Sequence, residues 1–170
     1  MSDPPAAPSW LLAGRVGRPH GLDGSFHVVD PSPQLLAVGA TVRVGDRDVG
    51  IARRAGTEQR PIVRLEGCER REQAEALRGE ELLVERAHAP ELEADEWWAE
   101  DLEGCSVVCE GRTVGTVLRL RALPSCEVLE VARAGSGGEL LVPLVRDAVR
   151  SVDLDRREIE VDLLFLGEEE

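Results

Sequence analysis

The sequence of 170 residues predicts an all-β protein made of two small β-barrels. Short apolar segments recur along the chain, and Gly, Pro and Asp residues separate them at close spacing, which is the pattern of antiparallel strands. Residues 87–95 interrupt this pattern with a proline, small residues and carboxylates, which would not fill a hydrophobic core. The chain is long enough for two small domains. We therefore expect a linker at residues 87–95 and one domain on each side of it.

The N-terminal domain is expected to span residues 10–86 and to contain one short helix. That helix is predicted at residues 69–78, where Glu75 is spaced to pair with Arg71 and with Arg78 on an exposed face. Short strands around a single helix fit a small barrel. The predicted strands are residues 10–17, 25–30, 41–44, 49–54, 61–65 and 81–85.

The C-terminal domain is expected to span residues 96–166 and to repeat the strand pattern without a helix. Its last strand alternates Ile159 and Val161 with carboxylates, as a half-buried antiparallel strand should. Residues 1–9 are expected to form a disordered tail, and residues 167–170 an acidic one. The predicted strands are residues 106–109, 113–120, 127–132, 140–143, 149–154 and 158–163.

The composition argues against several classes of protein. No apolar run approaches the ~20 residues that span a membrane, and no signal-peptide pattern opens the chain, so a cytoplasmic location is expected. Four cysteines are too few for a disulfide framework, and the spacing of Cys105 and Cys109 does not match a zinc motif. We predict neither a metal site nor a cofactor.

Charge divides the chain unevenly. Residues 1–86 hold 12 Arg and 13 acidic residues, for a net charge of −1, whereas residues 87–170 hold 8 and 20, for a net charge of −12. Such an acidic half would repel a phosphate backbone and attract a basic partner, although it also serves solubility. No basic patch for nucleic acid is visible in the sequence. The pairs Arg53-Arg54 and Arg70-Arg71 are predicted to be solvated surface charges, with contact to RNA as the alternative for either pair.

The most informative segment lies between the first two predicted strands. Three glycines and a proline in eight residues predict a tight, ordered turn, because Gly adopts positive φ and Pro fixes φ. A simple hairpin needs only two turn residues, and loops held by a scaffold often carry binding groups. The segment reads Gly17-Arg18-Pro19-His20-Gly21-Leu22-Asp23-Gly24.

Three interpretations of this turn remain open. The turn contacts a protein or RNA, or it is purely structural and His20 bonds to the backbone, or His20 is a general base. The last interpretation lacks a recognisable nucleophile or orienting carboxylate. The candidate contact residues are Arg18, Pro19, His20, Gly21, Leu22 and Gly24.

Trp97 and Trp98 form an adjacent aromatic pair among carboxylates. Neighbouring side chains point to opposite faces of a strand or lie ~100° apart on a helix, so one small core rarely buries both rings. The pair is either a hot spot for a basic protein, or one ring seals the interdomain contact while the other caps the second barrel. The residues alone do not decide between these interpretations.

Together these segments resemble the ribosome maturation factor RimM family over residues 10–165. Ser25 departs from the glutamate that ends the family's turn sequence. The resemblance rests on the turn sequence and on Trp97-Trp98, Asp101-Leu102-Glu103-Gly104, Gly115-Thr116-Val117, Leu141-Val142-Pro143-Leu144-Val145 and Val152-Asp153-Leu154.

The resemblance implies a translation-factor-like N-terminal barrel and a C-terminal PRC barrel. It also implies a non-catalytic, monomeric factor, not bound to a membrane, that binds the immature small (30S) subunit near its head and assists 16S rRNA processing. Trp97 and Trp98 would bind a basic ribosomal protein there, small-subunit ribosomal protein nineteen. Two alternatives stay open: a small flavin-type oxidoreductase, which would lack any recognisable nucleotide-binding fingerprint, and a direct RNA-binding module.

Overall fold

The computed structural model describes residues 9–135 and 137–168. The tail predicted at residues 1–9 lies outside the described residues except for Ser9, and so do the last two residues of the predicted acidic tail. The chain divides into two compact units, the first ending at Glu91 and the second beginning at Leu92. Each unit is built mainly from β-strands, as the sequence predicts.

The N-terminal unit is a closed six-stranded barrel with the strand order β1-β2-β5-β4-β3-β6. Its neighbouring strands all pair antiparallel. A short helix, α1, precedes the last strand, and 3-10 turns lie at Pro33–Leu35 and Arg86–His88. The elements are β1 Trp10–His20, β2 Ser25–Val29, β3 Thr41–Val44, β4 Arg47–Gly56, β5 Pro61–Leu65, α1 Arg71–Leu77 and β6 Glu81–Glu85.

The core of this unit follows the alternation of its strands. In β5, buried Pro61, Val63 and Leu65 alternate with half-buried residues, which is expected where one face of a strand covers the core. The largest fully buried side chains in the unit are Leu11, Phe26, Leu36, Ile51 and Leu82.

The turn between β1 and β2 is shorter than the sequence predicts. We expected an ordered turn over residues 17–24, but β1 continues to His20, and Pro19 pairs with Phe26 beyond an irregularity in the ladder. Pairing with β2 keeps this part of the chain extended, so only residues 21–24 turn.

The C-terminal unit is a six-stranded, curled half-barrel sheet with the order β10-β9-β8-β7-β12-β11. Only β12 and β7 pair in parallel; the other neighbours are antiparallel. The elements are α2 Ala99–Leu102, β7 Ser106–Cys109, β8 Arg112–Ala122, β9 Glu127–Arg133, β10 Glu139–Pro143, β11 Val149–Asp153 and β12 Glu158–Val161.

Helix α2 is absent from the sequence prediction, which expected no helix in this half. The carbonyl of Trp98 accepts hydrogen bonds from the amides of Asp101 and Leu102 and so begins the helix. Leu102 is fully buried in the core, together with Leu129, Val131 and Ile159. The helix therefore forms because one turn suffices to bring Leu102 to the apolar face of the sheet.

The four cysteines are free thiols, and burial raises the pKa of both Cys68 and Cys105. Among the described residues, no three or more His, Cys, Asp or Glu side chains lie together as a metal ion would need. Nor does that part of the chain contain a helix of the length and apolarity that a membrane crossing requires.

Candidate functional site

The turn at residues 21–24 is fastened to the N-terminal barrel at both ends. The Arg71 guanidinium donates to the Gly21 carbonyl over 3.0 Å, and the Cys68 thiol donates to the Gly24 carbonyl over 3.3 Å. Gly24 has a φ of +85°, and a Cβ there would lie 2.4 Å from the carbonyl oxygen of Cys68. Only glycine fits this close approach of two backbone segments.

Asp23 adds a further restraint within the turn. Its carboxylate accepts from the Ser25 amide over 3.1 Å and from the Arg53 guanidinium over 3.2 Å. The hydrogen bonds from Ser25, side chain and amide, and the charge of Arg53 hold the pKa of Asp23 below its usual value. Ser25, which departs from the glutamate expected from the resemblance, is 2 % exposed, and its amide donates to Asp23.

The fastened turn presents an apolar side chain to solvent. Leu22 is 81 % exposed, and Arg18 and His20 on the adjoining strand are also exposed. Pro19 is buried between them, and the His20 ring meets the His27 ring edge to face, with centroids 5.1 Å apart. A rigid turn with an exposed leucine and neighbouring polar groups is suited to contact another molecule, because little order is lost on binding.

Beside the turn, the barrel wall holds a cleft of about 670 Å³ lined by basic side chains. We call it the arginine cleft and define it by Arg15, Arg18, His27, Arg60 and Arg78. The remaining lining residues are Val16, Gly17, Val28, Val29 and Gly79, so no lining residue is acidic. The sequence shows no basic patch, and folding brings these basic residues together from separate segments.

The two tryptophans occupy different environments in the C-terminal unit. Trp98 is 8 % exposed, whereas Trp97 is half-buried, packs against the core and lines a cleft of about 370 Å³. We call this the Trp97 cleft. Its other lining residues are Asp95, Leu144, Val145, Arg146, Val149, Arg150, Ser151 and Val152.

Both arginines of the Trp97 cleft have carboxylate partners. Arg146 bonds to Asp95, and Arg150 donates to Asp162 over 2.6 Å. These hydrogen bonds and charges raise the pKa of each arginine and keep both guanidinium groups ionised. The cleft therefore offers an apolar floor, and the positive charges of the two arginines at its edge are neutralised by carboxylates.

Like-charged carboxylates lie near the aromatic pair. Although the Glu127 side chain is exposed overall, atoms packed near its carboxyl group and the charge of Glu96 raise its pKa. Desolvation and the charge of Glu100 likewise raise the pKa of Glu103. Each of these carboxylates feels its neighbour's charge, and an approaching cation would relieve that repulsion.

Sequence reasoning identified the turn and the tryptophan pair but missed two groups. Arg53 and Arg71 are exposed, as predicted, but they also hold the turn. Arg78 alone keeps the predicted pairing with Glu75, at 3.5 Å. Nothing in the local pattern distinguishes an arginine that bonds to a distant carbonyl from one that faces water. The arginine cleft was missed because its members come from separate segments of the chain.

Comparison with known proteins gives matches over both units. The family model for the RimM N-terminal domain matches residues 11–89, and the model for the RimM PRC barrel domain matches residues 99–164. A ribosome maturation factor RimM from Frankia alni is 35 % identical, covering 89 % of this chain and 93 % of the relative. The protein of the same name from Rubrobacter xylanophilus is 37 % identical, covering 84 % and 88 %.

A solved structure also matches part of the chain. The solution structure of the N-terminal domain of RimM from Thermus thermophilus is 29 % identical, with a TM-score of 0.43, and covers 49 % of this chain and 98 % of that domain. The two family models follow the order of the two units described above, and the relatives match most of the chain. This chain belongs to the RimM family of ribosome maturation factors.

Proposed function

We propose that this protein binds the immature small (30S) subunit near its head, through a basic ribosomal protein, and assists processing of the 16S rRNA. The observation that carries the proposal is the Trp97 cleft, where a half-buried aromatic ring borders an apolar floor. Interface hot spots are typically aromatic side chains of this kind, set in a pocket and surrounded by polar groups. Small-subunit ribosomal protein nineteen is the proposed partner.

The two tryptophans would have different roles at this interface. Trp97 supplies the accessible ring that packs against an apolar side chain of the partner. Trp98, at 8 % exposure, holds the start of α2 and so positions its neighbour.

The charge around the cleft supports a basic partner. Burial chiefly, and the charges of Glu96 and Glu100 in second place, raise the pKa of Glu127 and Glu103, so their ionised forms carry a cost in the free protein. Lysine and arginine side chains of a partner would lower that cost, so association should be fast and should weaken with salt. The net charge of −12 on residues 87–170 adds long-range attraction of the same sign.

The proposed action requires no catalysis. A factor that binds an assembly intermediate more tightly than the mature particle stabilises the intermediate's conformation by the difference in binding free energy. The fastened turn, with Leu22, His20 and Arg18 exposed, would form a second contact with the same particle. The protein is proposed to do this as a cytoplasmic monomer.

The test is calorimetric titration of the full chain with small-subunit ribosomal protein nineteen. Trp97→Ala should weaken binding by about 2 kcal/mol or more, which is roughly 30-fold. Phe165→Ala is the matched control, because Phe165 is a 52 % exposed aromatic residue of the same unit that does not line the cleft. Equal affinities for the wild type and Trp97→Ala would refute the proposed interface.

A cellular assay tests whether binding through Trp97 is needed for 16S rRNA processing. Cells depleted of the factor and supplied with Trp97→Ala should accumulate unprocessed 16S rRNA, whereas cells supplied with Phe165→Ala should process it normally. Normal processing in the Trp97→Ala cells, with the protein present at wild-type level, would contradict the proposal.

A further inference from the structure

We propose that the arginine cleft of the N-terminal unit binds phosphates of an RNA backbone. Arg15 and Arg18 come from β1, Arg60 precedes β5 and Arg78 follows α1, so three separate parts of the chain converge on one cavity. The inference rests on the proposed function only for the identity of the particle that carries the RNA.

Two of the cations lack a counter-charge. Within the described residues, neither Arg18 nor Arg60 makes an ion pair, and both are exposed. Unpaired guanidinium groups at an open cavity are free to meet an incoming anion, and their planar donors fit phosphate oxygens in a bidentate manner.

The other two cations are held by weak partners. Arg15 pairs with Glu81 at 3.2 Å and Arg78 with Glu75 at 3.5 Å, and all four side chains are about half exposed. Exposed pairs of this kind contribute little to stability, so a phosphate can take the place of either carboxylate at small cost.

His27 lies among the basic groups of the cleft. Partial burial lowers the pKa of His27, and the charges of Arg18, His20 and Arg60 lower it further. The imidazole therefore stays neutral beside the arginines and remains able to donate one hydrogen bond. The charges of Arg18 and Arg60, which contribute to this shift, would attract an anion.

The size and setting of the cleft favour RNA over an acidic protein segment. About 670 Å³ of open cavity is room for a phosphate with its sugar, and apolar Val16, Val28 and Val29 lie among the basic groups. In an immature ribosomal subunit, RNA is the abundant polyanion, and the ribosomal protein proposed above is basic. The N-terminal half, with a net charge of −1, does not repel RNA as the other half does.

The test measures binding of the full chain to a short, fluorescein-labelled, single-stranded RNA across a range of salt concentrations. Arg18→Gln/Arg60→Gln should bind about tenfold more weakly at low salt. The slope of log K against log salt should fall by ~1.4, which is ~0.7 for each lost phosphate contact. Arg18→Lys/Arg60→Lys should keep most of the slope, because it keeps the charges. Arg47→Gln/Arg156→Gln is the control, with the same change in net charge at exposed positions outside the cleft.

Three results would overturn the inference. The first is equal RNA binding by Arg18→Gln/Arg60→Gln and the control. The second is polyglutamate displacing the RNA at equal monomer concentration, which would assign the cleft to an acidic protein segment. The third is an unchanged His27 ring resonance during RNA titration of the wild type, which would place the RNA elsewhere.

The same variants separate this inference from the proposed function. Arg18→Gln/Arg60→Gln should bind small-subunit ribosomal protein nineteen with wild-type affinity, since neither residue belongs to the Trp97 cleft. Intact protein binding with no RNA binding by the wild type would overturn the arginine cleft alone. RNA binding that depends on Arg18 and Arg60, with no effect of Trp97→Ala on protein binding, would overturn the proposed function alone.

Discussion

The turn between β1 and β2 depends on one close backbone contact, which Gly24→Ala tests. The added Cβ would lie 2.4 Å from the Cys68 carbonyl oxygen and 2.6 Å from its carbonyl carbon, and neither atom can rotate away. Gly21→Ala is the matched control in the same turn, because Gly21 also has a positive φ, +67°, but has nothing within 4 Å of its added Cβ.

The expected destabilisation has three parts. A left-handed conformation costs a non-glycine residue ~1–2 kcal/mol, and an overpacked contact costs a further ~1–3 kcal/mol. Both substitutions also stiffen the unfolded chain, which offsets ~0.4–1 kcal/mol. Gly21→Ala lacks the overpacked contact, so Gly24→Ala should lower the free energy of unfolding by ~1–3 kcal/mol more than Gly21→Ala does.

The assay is urea unfolding of the full chain followed by two-dimensional NMR, which resolves amide signals of the N-terminal unit from those of the C-terminal unit. Gly24→Ala should lower the urea midpoint for the N-terminal unit with an unchanged slope, and the thermal midpoint by roughly 4–8 °C for each kcal/mol lost. The urea midpoint measured from signals of the C-terminal unit should stay unchanged in both variants. Equal midpoints for Gly24→Ala and Gly21→Ala would refute the reasoning, because the contact with Cys68 would then carry no energy.

Three further predictions concern the tryptophans, His27 and the domain organisation. Trp98→Ala should destabilise the C-terminal unit by ~3–5 kcal/mol, as expected for a buried tryptophan, and Trp97→Ala should cost less; chemical denaturation followed by circular dichroism measures both. Because the folded-state pKa of His27 is depressed, the unfolded state takes up its proton first, and stability should fall as pH drops through about 6.5 toward the folded value. NMR titration of His27 should show a higher pKa in Arg18→Gln than in the wild type, and an equal pKa would contradict the repulsion between them. Limited trypsin digestion should cut after Arg86 and leave two stable fragments, residues 1–86 and 87–170, whereas a single protected core would show that the halves do not fold separately.

The sequence by itself determined the strands and most of the turn chemistry. Within the described residues, each of the twelve strands overlaps a predicted one, and β3, β5, β6 and β7 have the predicted bounds. Alternation of apolar residues reports which side of a strand faces a core, and glycines report where the backbone needs positive φ. Both signals are local, so a single sequence carries them.

The missed elements have physical reasons of their own. β1 and β4 extend past their predicted ends. Their hydrogen-bonded neighbour strands keep the backbone extended there, even at residues with low strand propensity. α2 has only four residues, too few for a helical period to show, and it forms because Leu102 packs into the core.

Only the tertiary structure decided which side chains meet. The sequence does not show which of the adjacent Trp97 and Trp98 is buried. The packing of the C-terminal unit buries Trp98 and leaves Trp97 at a cleft. Arg71 faces Glu75 one helical turn away but bonds to the carbonyl of Gly21, 50 residues distant. The basic residues of the arginine cleft are scattered along the sequence and meet only when the barrel closes. Strand order and register place such residues together, and they depend on the sum of many long-range contacts that no local pattern records.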